Sequence, residues 1–424
     1  MKTTAVRLYG ENDLRLESFE LPPIKEDEIL AKVVSDSLCM SSYKAAIQGP
    51  KHKRVPDDCT ENPVIIGHEF CGEIVEVGEK LKDKYSVDSK FVVQPSMNYK
   101  GSLAAPGYSF KYYGGDCTYI IIPCFVMEIG CFLHYEGDSF FYGSLAEPMS
   151  CVVGGFHANY HYKQQGYYDH VMGIVEGGSM AILAGVGPMG LGAIDYAINC
   201  DRKPSLLVVT DIDKNRIERA KEILPVLEAE KNGVKLIYVD TSEIENPVEY
   251  LKGLTPDGEG FNDVFVYAPV KPVVEMGDAL LKKDGCLNFF AGPTNPEFSA
   301  NFNFYNVHYN FTHIVGTTGG NTDDMKESLK LMESGIIDPA AMITHIGGLD
   351  SVIETTKNLP NIKGGKKLIY THISLPLTAI ADFEELGKTD SMFAELDRLV
   401  KKNNGLWSGE AEKYLLNNAK ALEL

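Results

Sequence analysis

The sequence has no Cys-x-x-Cys pair, no uninterrupted apolar run near the roughly 18 residues of a membrane helix, and little positive charge for its length. Its nine cysteines are an odd number at irregular spacing. They supply neither a disulfide framework nor a thiolate zinc ribbon, and they fit the reduced thiols of a cytoplasmic protein. Lys and Arg number 40 against 59 Asp and Glu, for a formal charge of −19. That balance argues against nucleic acid or an anionic membrane as the main partner, while leaving room for a local basic pocket that takes a small anion. The opening Met1–Arg7 lacks the apolar core of a signal peptide. Internal repeats and low-complexity tracts are also missing. What is present is an ordinary globular composition, 44% hydrophobic and 23% charged over 424 residues, enough for two domains and an appendage.

The first 150 residues read as short strands punctuated by glycine and proline. Val6–Tyr9 and Leu14–Glu17 flank a turn at 10–13. Glu28–Val34, Gly72–Gly78, Phe91–Val93 and Tyr119–Ile122 continue the pattern of a small β-rich domain. The middle changes to alternating β and α. Ser179–Ala184, Leu206–Asp211, Leu236–Val239, Asp263–Tyr267 and Cys286–Ala291 are apolar strands, with helical stretches after the first two. This predicts a doubly wound parallel sheet, so the fold class is α/β. Lys366–Tyr370 reads as a last strand. Pro376 breaks the chain, and two amphipathic stretches, Met392–Val400 and Glu410–Ala421, predict a helical C-terminal extension without a chemical motif.

Gly185, Gly187 and Gly190, with Pro188 and Met189 between them, form G-x-G-x-x-G at a strand-to-helix junction. The first glycine permits the tight turn, the second admits a pyrophosphate, and the third lets helix pack on strand. Asp211 ends the next strand, 21 residues after Gly190, where a carboxylate accepts hydrogen bonds from a ribose diol. Its charge opposes a 2′-phosphate and favours NAD(H), while Lys214 and Arg216 nearby keep NADP(H) open. Asp213 reads as a helix cap.

Near the N-terminus, Pro63–Gly72 carries His68 and Glu69 side by side in an apolar setting. Such a pair is either a metal site or a hydrogen-bonded couple. Cys39 after its strand and Glu147 before the dinucleotide domain would complete a zinc shell. Alone, Cys39 is equally a buried small hydrophobe, and Glu147 a helix-start carboxylate. Lys51-His52-Lys53-Arg54 is a basic island, either a phosphate cradle or a solvated loop.

Gly67-His68-Glu69-x-x-Gly72-x-x-x-x-x-Gly78 resembles the signature of the zinc alcohol dehydrogenases, within the medium-chain dehydrogenases. Cys39, Glu147-Pro148, the Gly185–Gly190 loop and Ile343-Thr344-His345 extend the likeness over residues 1–372. The resemblance implies a GroES-like catalytic domain over 1–152 and 320–372, a Rossmann domain over 153–319, and the helical extension over 373–424. It implies zinc on Cys39, His68 and Glu147, with Glu69 ligating directly or exchanging with water. Ser41 would contact the reacting oxygen and begin a proton relay, or else cap the following helix. Lys44 stands where many relatives carry a relay histidine, and Met40 and Ser42 also depart from the usual pattern. Residues 94–116 hold no cysteine, so one catalytic zinc per subunit is expected and no structural zinc. Ala268, Gly292 and Thr317 are expected along the cofactor, together with the glycine loop, Asp211 and Arg216. The likeness is to polyol dehydrogenases that act on phosphorylated ketoses, and dimers or tetramers are expected. Lys44, Lys51, Lys53 and Arg54 are then the candidates for a substrate phosphate. Two rival readings are a dehydrogenase of another polyol, such as galactitol 1-phosphate or sorbitol, and a nicotinamide-binding sensor without turnover.

Overall fold

The alternating residues near the N-terminus pair as a hairpin. In the computed structural model, which describes residues 1–163 and 169–423, strands Lys2–Gly10 and Asp13–Glu20 run antiparallel with Leu8 opposite Leu14. Contacts divide the chain into two compact units. The first comprises 1–148, 321–333 and 343–424, and the second 149–320 and 334–342.

In the first unit, strand Ile29–Leu38 is the hub, hydrogen-bonded to Phe70–Val77, Lys366–Tyr370 and Tyr119–Ile122. Its pairing with Phe70–Val77 slips between Val33 and Ser35, a bulge that re-aims the polar residues that follow. Ser35, Asp36 and Ser37 are all buried, beside a core that includes Ile29, Val33, Phe70 and Phe91. Elements from residues 29, 70 and 366 thus meet at one end of one sheet.

The C-terminal helices Ser391–Lys402 and Gly409–Asn418 belong to this first unit, and they do more than decorate it. Glu412 is buried and accepts hydrogen bonds from the backbone N–H of Phe140 (2.7 Å) and Phe141 (2.8 Å) and from the Tyr370 hydroxyl (2.8 Å). Trp407 donates its indole N–H to the same hydroxyl at 2.8 Å. Phe140 and Phe141 open the helix Phe140–Ala158, whose first N–H groups lack partners within the helix. A carboxylate there both satisfies them and meets the positive end of the helix dipole.

The second unit holds a six-stranded parallel sheet. From edge to edge its strands are Lys235–Asp240, Leu206–Asp211, Ser179–Leu183, Phe261–Val266, Leu281–Phe289 and His313–Val315. In chain order this is third, second, first, fourth, fifth, sixth, so the order reverses at Ser179–Leu183. Ligands of such sheets bind at the carboxyl end of that reversal. At the far edge, a hairpin of Tyr160–Tyr162 and His170–Met172 is fastened by histidines. His161 is bonded through Nδ1 to the Asp284 carbonyl (2.8 Å) and through Nε2 to Asp263 (3.0 Å), and His313 Nε2 meets Asp284 Oδ1 at 2.8 Å. Among the described residues, no helix is long and apolar enough to cross a membrane.

The tail contact gives a test. Burial pushes the Glu412 carboxyl up to about 7, against the donors from Tyr370, Phe140 and Phe141, which favour ionisation. The folded chain then holds a proton that the unfolded chain loses near 4.5, so this group's contribution falls as pH rises from about 4.5 to about 7. Glu412→Gln is expected to flatten that slope in urea titrations across the window. Glu412→Ala, which orphans three buried donors, is expected to cost about 2–4 kcal/mol.

Candidate active site

Gly67 makes the turn into His68 and Glu69 possible. Its φ of +88° lies in the left-handed region, and a Cβ there would sit 2.1 Å from Asp36 Oδ2 and 2.5 Å from the Asp116 nitrogen. Only glycine fits. The turn lifts the chain out of Val64–Ile65 and presents His68 and Glu69 before strand Phe70–Val77 begins. Opposite, strand Ile29–Leu38 ends and Cys39 starts the helix Met40–Gln48 in an extended conformation. Ligand-type atoms of Cys39, His68 and Glu69 come within 4.8 Å of one another. Glu147, on the helix that Glu412 caps, lies outside that trio distance, yet it is buried and interacts electrostatically with Glu69, His68 and Cys39.

Burial pushes these groups toward their neutral forms. It raises the Cys39 thiol, lowers the His68 imidazole and lifts Glu147 to about 7. A divalent cation among them would reverse the shifts of the thiol and the carboxyl, holding the thiolate and the carboxylate, and would keep the imidazole neutral as burial already does. The donor set of sulfur, nitrogen and oxygen suits zinc.

Glu69 does not stand like the other three. Lys366 Nζ meets both of its carboxylate oxygens at 2.5 Å, and the Ser37 hydroxyl donates to Oε2. Both partners of this ion pair are buried, at 5% and 1% side-chain exposure. The backbone N–H of Glu69 donates to Asp36 Oδ1 at 3.0 Å, which fixes the peptide as well as the side chain. Asp36 faces Asp116, and burial raises both carboxyls, Asp116 to about 7. A shared proton is the way two buried carboxyls coexist.

Ser41 Oγ lies 3.2 Å from His68 Nε2, with the Tyr108 hydroxyl 3.4 Å from the same atom, while Ser42 Oγ lies 3.3 Å from Nδ1. The helix here has no side-chain cap, so the capping alternative for Ser41 falls away. Lys44, half-buried one turn further along, is lowered first by burial, then raised by Cys39 and lowered by Lys53. Lys51 is drawn off into an exposed ion pair with Glu11 at 2.7 Å, whereas Lys53 and Arg54 keep facing Lys44 and His52.

Sequence reasoning missed Lys366, Ser37 and Tyr108. A signal existed for the lysine: two lysines open Lys366–Tyr370, a strand whose five residues are all buried, and a buried ammonium demands a partner. Tyr108 had none.

In the second unit the nucleotide residues converge. Gly185 follows Ser179–Leu183, Asp211 ends Leu206–Asp211, and Ala268, Gly292 and Thr317 follow Phe261–Val266, Leu281–Phe289 and His313–Val315 in turn. All lie at the carboxyl end of the sheet. A Cβ on Gly190 would stand 2.1 Å from the Gly185 carbonyl oxygen, so close packing of helix on strand requires glycine there. Nothing lies within 4 Å of a Cβ built on Gly187, the first cap of the helix Pro188–Asn199. That open space above a helix N-terminus is what a pyrophosphate needs. The Asp211 carboxylate accepts from the N–H of Ile212 (2.8 Å) and Asp213 (3.1 Å) and reaches Val186 at 3.4 Å. Asp213 caps the next helix, and Arg216 pairs with it at 3.6 Å.

Known proteins are similar to this chain in both units. The alcohol dehydrogenase GroES-like domain family matches residues 25–129, and the zinc-binding dehydrogenase family matches 188–334. The chain is 55% identical over 98% of its length to 97% of a mannitol-1-phosphate 5-dehydrogenase of Aliivibrio fischeri. It is 48% identical to an L-sorbose 1-phosphate reductase of Klebsiella pneumoniae, with 98% of each chain covered. The solved 2R,3R-butanediol dehydrogenase of Bacillus subtilis superposes with a TM-score of 0.70 at 22% identity, covering 87% of this chain and 99% of that one. The two units are accordingly the GroES-like and Rossmann folds, and the chain belongs to the zinc-binding alcohol and polyol dehydrogenase family of oxidoreductases.

Proposed function

We propose that the protein is a cytoplasmic, NADH-linked reductase of L-sorbose 1-phosphate, forming D-glucitol 6-phosphate with one zinc per chain. The observation that carries the metal chemistry is the set Cys39, His68 and Glu69, whose ligand-type atoms lie within 4.8 Å of one another, with Glu147 buried beside them; burial disfavours the charged thiolate and the Glu147 carboxylate, which a cation would favour. When bound, zinc supplies Lewis acidity at the carbonyl oxygen, and the nicotinamide supplies hydride.

The chain's own residues then have distinct tasks. Cys39, His68 and Glu147 would hold the metal. Glu69 is kept in reserve by Lys366 and Ser37, free to exchange with water or substrate. Ser41 Oγ, beside His68 Nε2, delivers the proton to the alkoxide oxygen, with Lys44 one turn along the same helix to replenish it. Asp211 favours NADH, because Lys214 is occupied by Glu243 at 2.8 Å and Arg216 by Asp213, which leaves a 2′-phosphate a poor welcome. Four exposed apolar side chains, Phe304, Tyr305, Tyr309 and Ile314, on and just before the open edge strand His313–Val315, support assembly as a homo-oligomer. All nine cysteines are unpaired, in keeping with a reducing compartment. A second reading, oxidation of mannitol 1-phosphate, is favoured by the name of the 55% identical relative.

Initial rates with L-sorbose 1-phosphate, D-fructose 6-phosphate and unphosphorylated L-sorbose decide between the readings. The first is expected to give the highest kcat/KM, and a higher value for D-fructose 6-phosphate would favour the second. His68→Ala is expected to drop zinc from about one per chain to near zero and turnover by roughly a thousandfold, with NADH fluorescence titration unchanged. Full activity in that zinc-free variant would sink the metal's role. Asp211→Ser is expected to raise the NADPH-to-NADH ratio of kcat/KM by about tenfold or more. A wild type that already prefers NADPH would overturn the assignment.

A further inference from the structure

In a chain of net charge −19, no carboxylate among the described residues lies within ion-pair distance of Lys53 or Arg54. Arg54 is half-buried, its Nε is buried without a hydrogen-bond partner, and its guanidinium carbon rests 5.3 Å from the centre of the Tyr108 ring. The backbone of Arg54 is fixed from both sides, its carbonyl accepting from Ser109 Oγ at 2.6 Å and its N–H donating to His52 Nδ1 at 3.3 Å. His52 stacks on Tyr108 at 5.5 Å and 10°. Burial, then Arg54, Lys53 and Lys44, drive that imidazole down to about 4, so His52 stays neutral where three cationic side chains come together. Burying a guanidinium nitrogen unpaired is costly unless a ligand completes it.

Tyr108 connects this charge to the metal site. Its ring is buried, and its hydroxyl lies 3.4 Å from His68 Nε2. One tyrosine ring therefore separates the metal ligand from the guanidinium. In a ketose 1-phosphate, three bonds join the carbonyl carbon to phosphorus; in a ketose 6-phosphate, six do. A spacer of one ring matches the shorter connection.

We propose that Arg54 and Lys53, with Lys44 beside them and Tyr108 as the spacer, bind the substrate phosphate and select ketoses phosphorylated on the carbon next to the reacting carbonyl. The inference rests on the reductase reading above and supplies its regiochemistry. Arg54 provides the planar donors that a phosphate takes in pairs, and Lys53 adds a point charge at the rim.

The test is Arg54→Met, Arg54→Lys and Lys53→Met in the full-length zinc-loaded protein, assayed with L-sorbose 1-phosphate, D-fructose 6-phosphate and L-sorbose. Arg54→Met is expected to raise KM for L-sorbose 1-phosphate about 10- to 100-fold, with kcat moving far less. The preference for L-sorbose 1-phosphate over L-sorbose should collapse with it. Arg54→Lys should fall between, and Lys53→Met should show a smaller KM effect. Zinc content and circular dichroism establish that each variant is folded. An unchanged KM in folded Arg54→Met, or a wild type that handles D-fructose 6-phosphate as well as L-sorbose 1-phosphate, overturns the proposal. Inorganic phosphate separates this failure from that of the reductase reading. If wild type turns over no ketose phosphate, thermal stabilisation by phosphate that Arg54→Met abolishes still supports an anion site, and its absence refutes one.

Discussion

The metal-site end of the first unit is organised by a deficit of buried positive charge. Cys39, Glu69, Glu147, Asp36 and Asp116 bring five acidic groups into a small region where water is excluded, and Lys366 is the buried ammonium facing them. One lysine neutralises one carboxylate, and it does so on Glu69. Asp36 and Asp116 sit beside one another, and burial raises both carboxyls, which favours a proton on the pair over two charges. That leaves the thiol and Glu147 around His68, a donor set that suits a divalent ion in sign and in ligand chemistry. The ion pair and the acid pair thus do for Glu69 and Asp36 what the metal would do for the rest.

The same bookkeeping separates two neighbouring residues that the sequence presents as a pair. His68 has both ring nitrogens lined by hydroxyls, with Ser41 and Tyr108 at Nε2 and Ser42 at Nδ1. None of those neutral groups competes with a cation for the ring. Glu69 is gripped by an ammonium, and its release would leave Lys366 buried and unpaired, at a cost of several kcal/mol. Were Glu69 to ligate a metal, such an anchor would suit it to leave and return.

Some of this was legible in the residues. The glycine loop and Asp211 are local: a turn, a helix start and the end of the next strand fix them within one βαβ unit, so spacing alone places them. Cys39 and the Gly67 turn are likewise set by where strands end. Lys366 is different, because it reaches Glu69 across 297 positions of sequence and depends on sheet order that alternation cannot supply. The C-terminal helices were readable as helices from their amphipathic pattern, but not as the cap of Phe140–Ala158, since Glu412 looks in sequence like any surface glutamate. Lys51 shows the reverse error. Four consecutive basic residues suggest one cradle, yet alternate side chains of a loop diverge, and Glu11 claims the first of them.

The tail and the candidate ligand Glu147 are connected through one helix. Glu412 satisfies the first N–H groups of Phe140–Ala158, and Glu147 lies two turns further along the same helix. Tyr370, which also donates to Glu412, ends the strand that begins with Lys366. A single buried carboxylate in the extension therefore touches both the element that carries one candidate ligand and the element that restrains another. The helix start needs an anion by its own electrostatics, whatever the chemistry further along. Supplying that anion from residues beyond the last strand makes the extension part of the framework of the site, without giving it any residue that touches substrate.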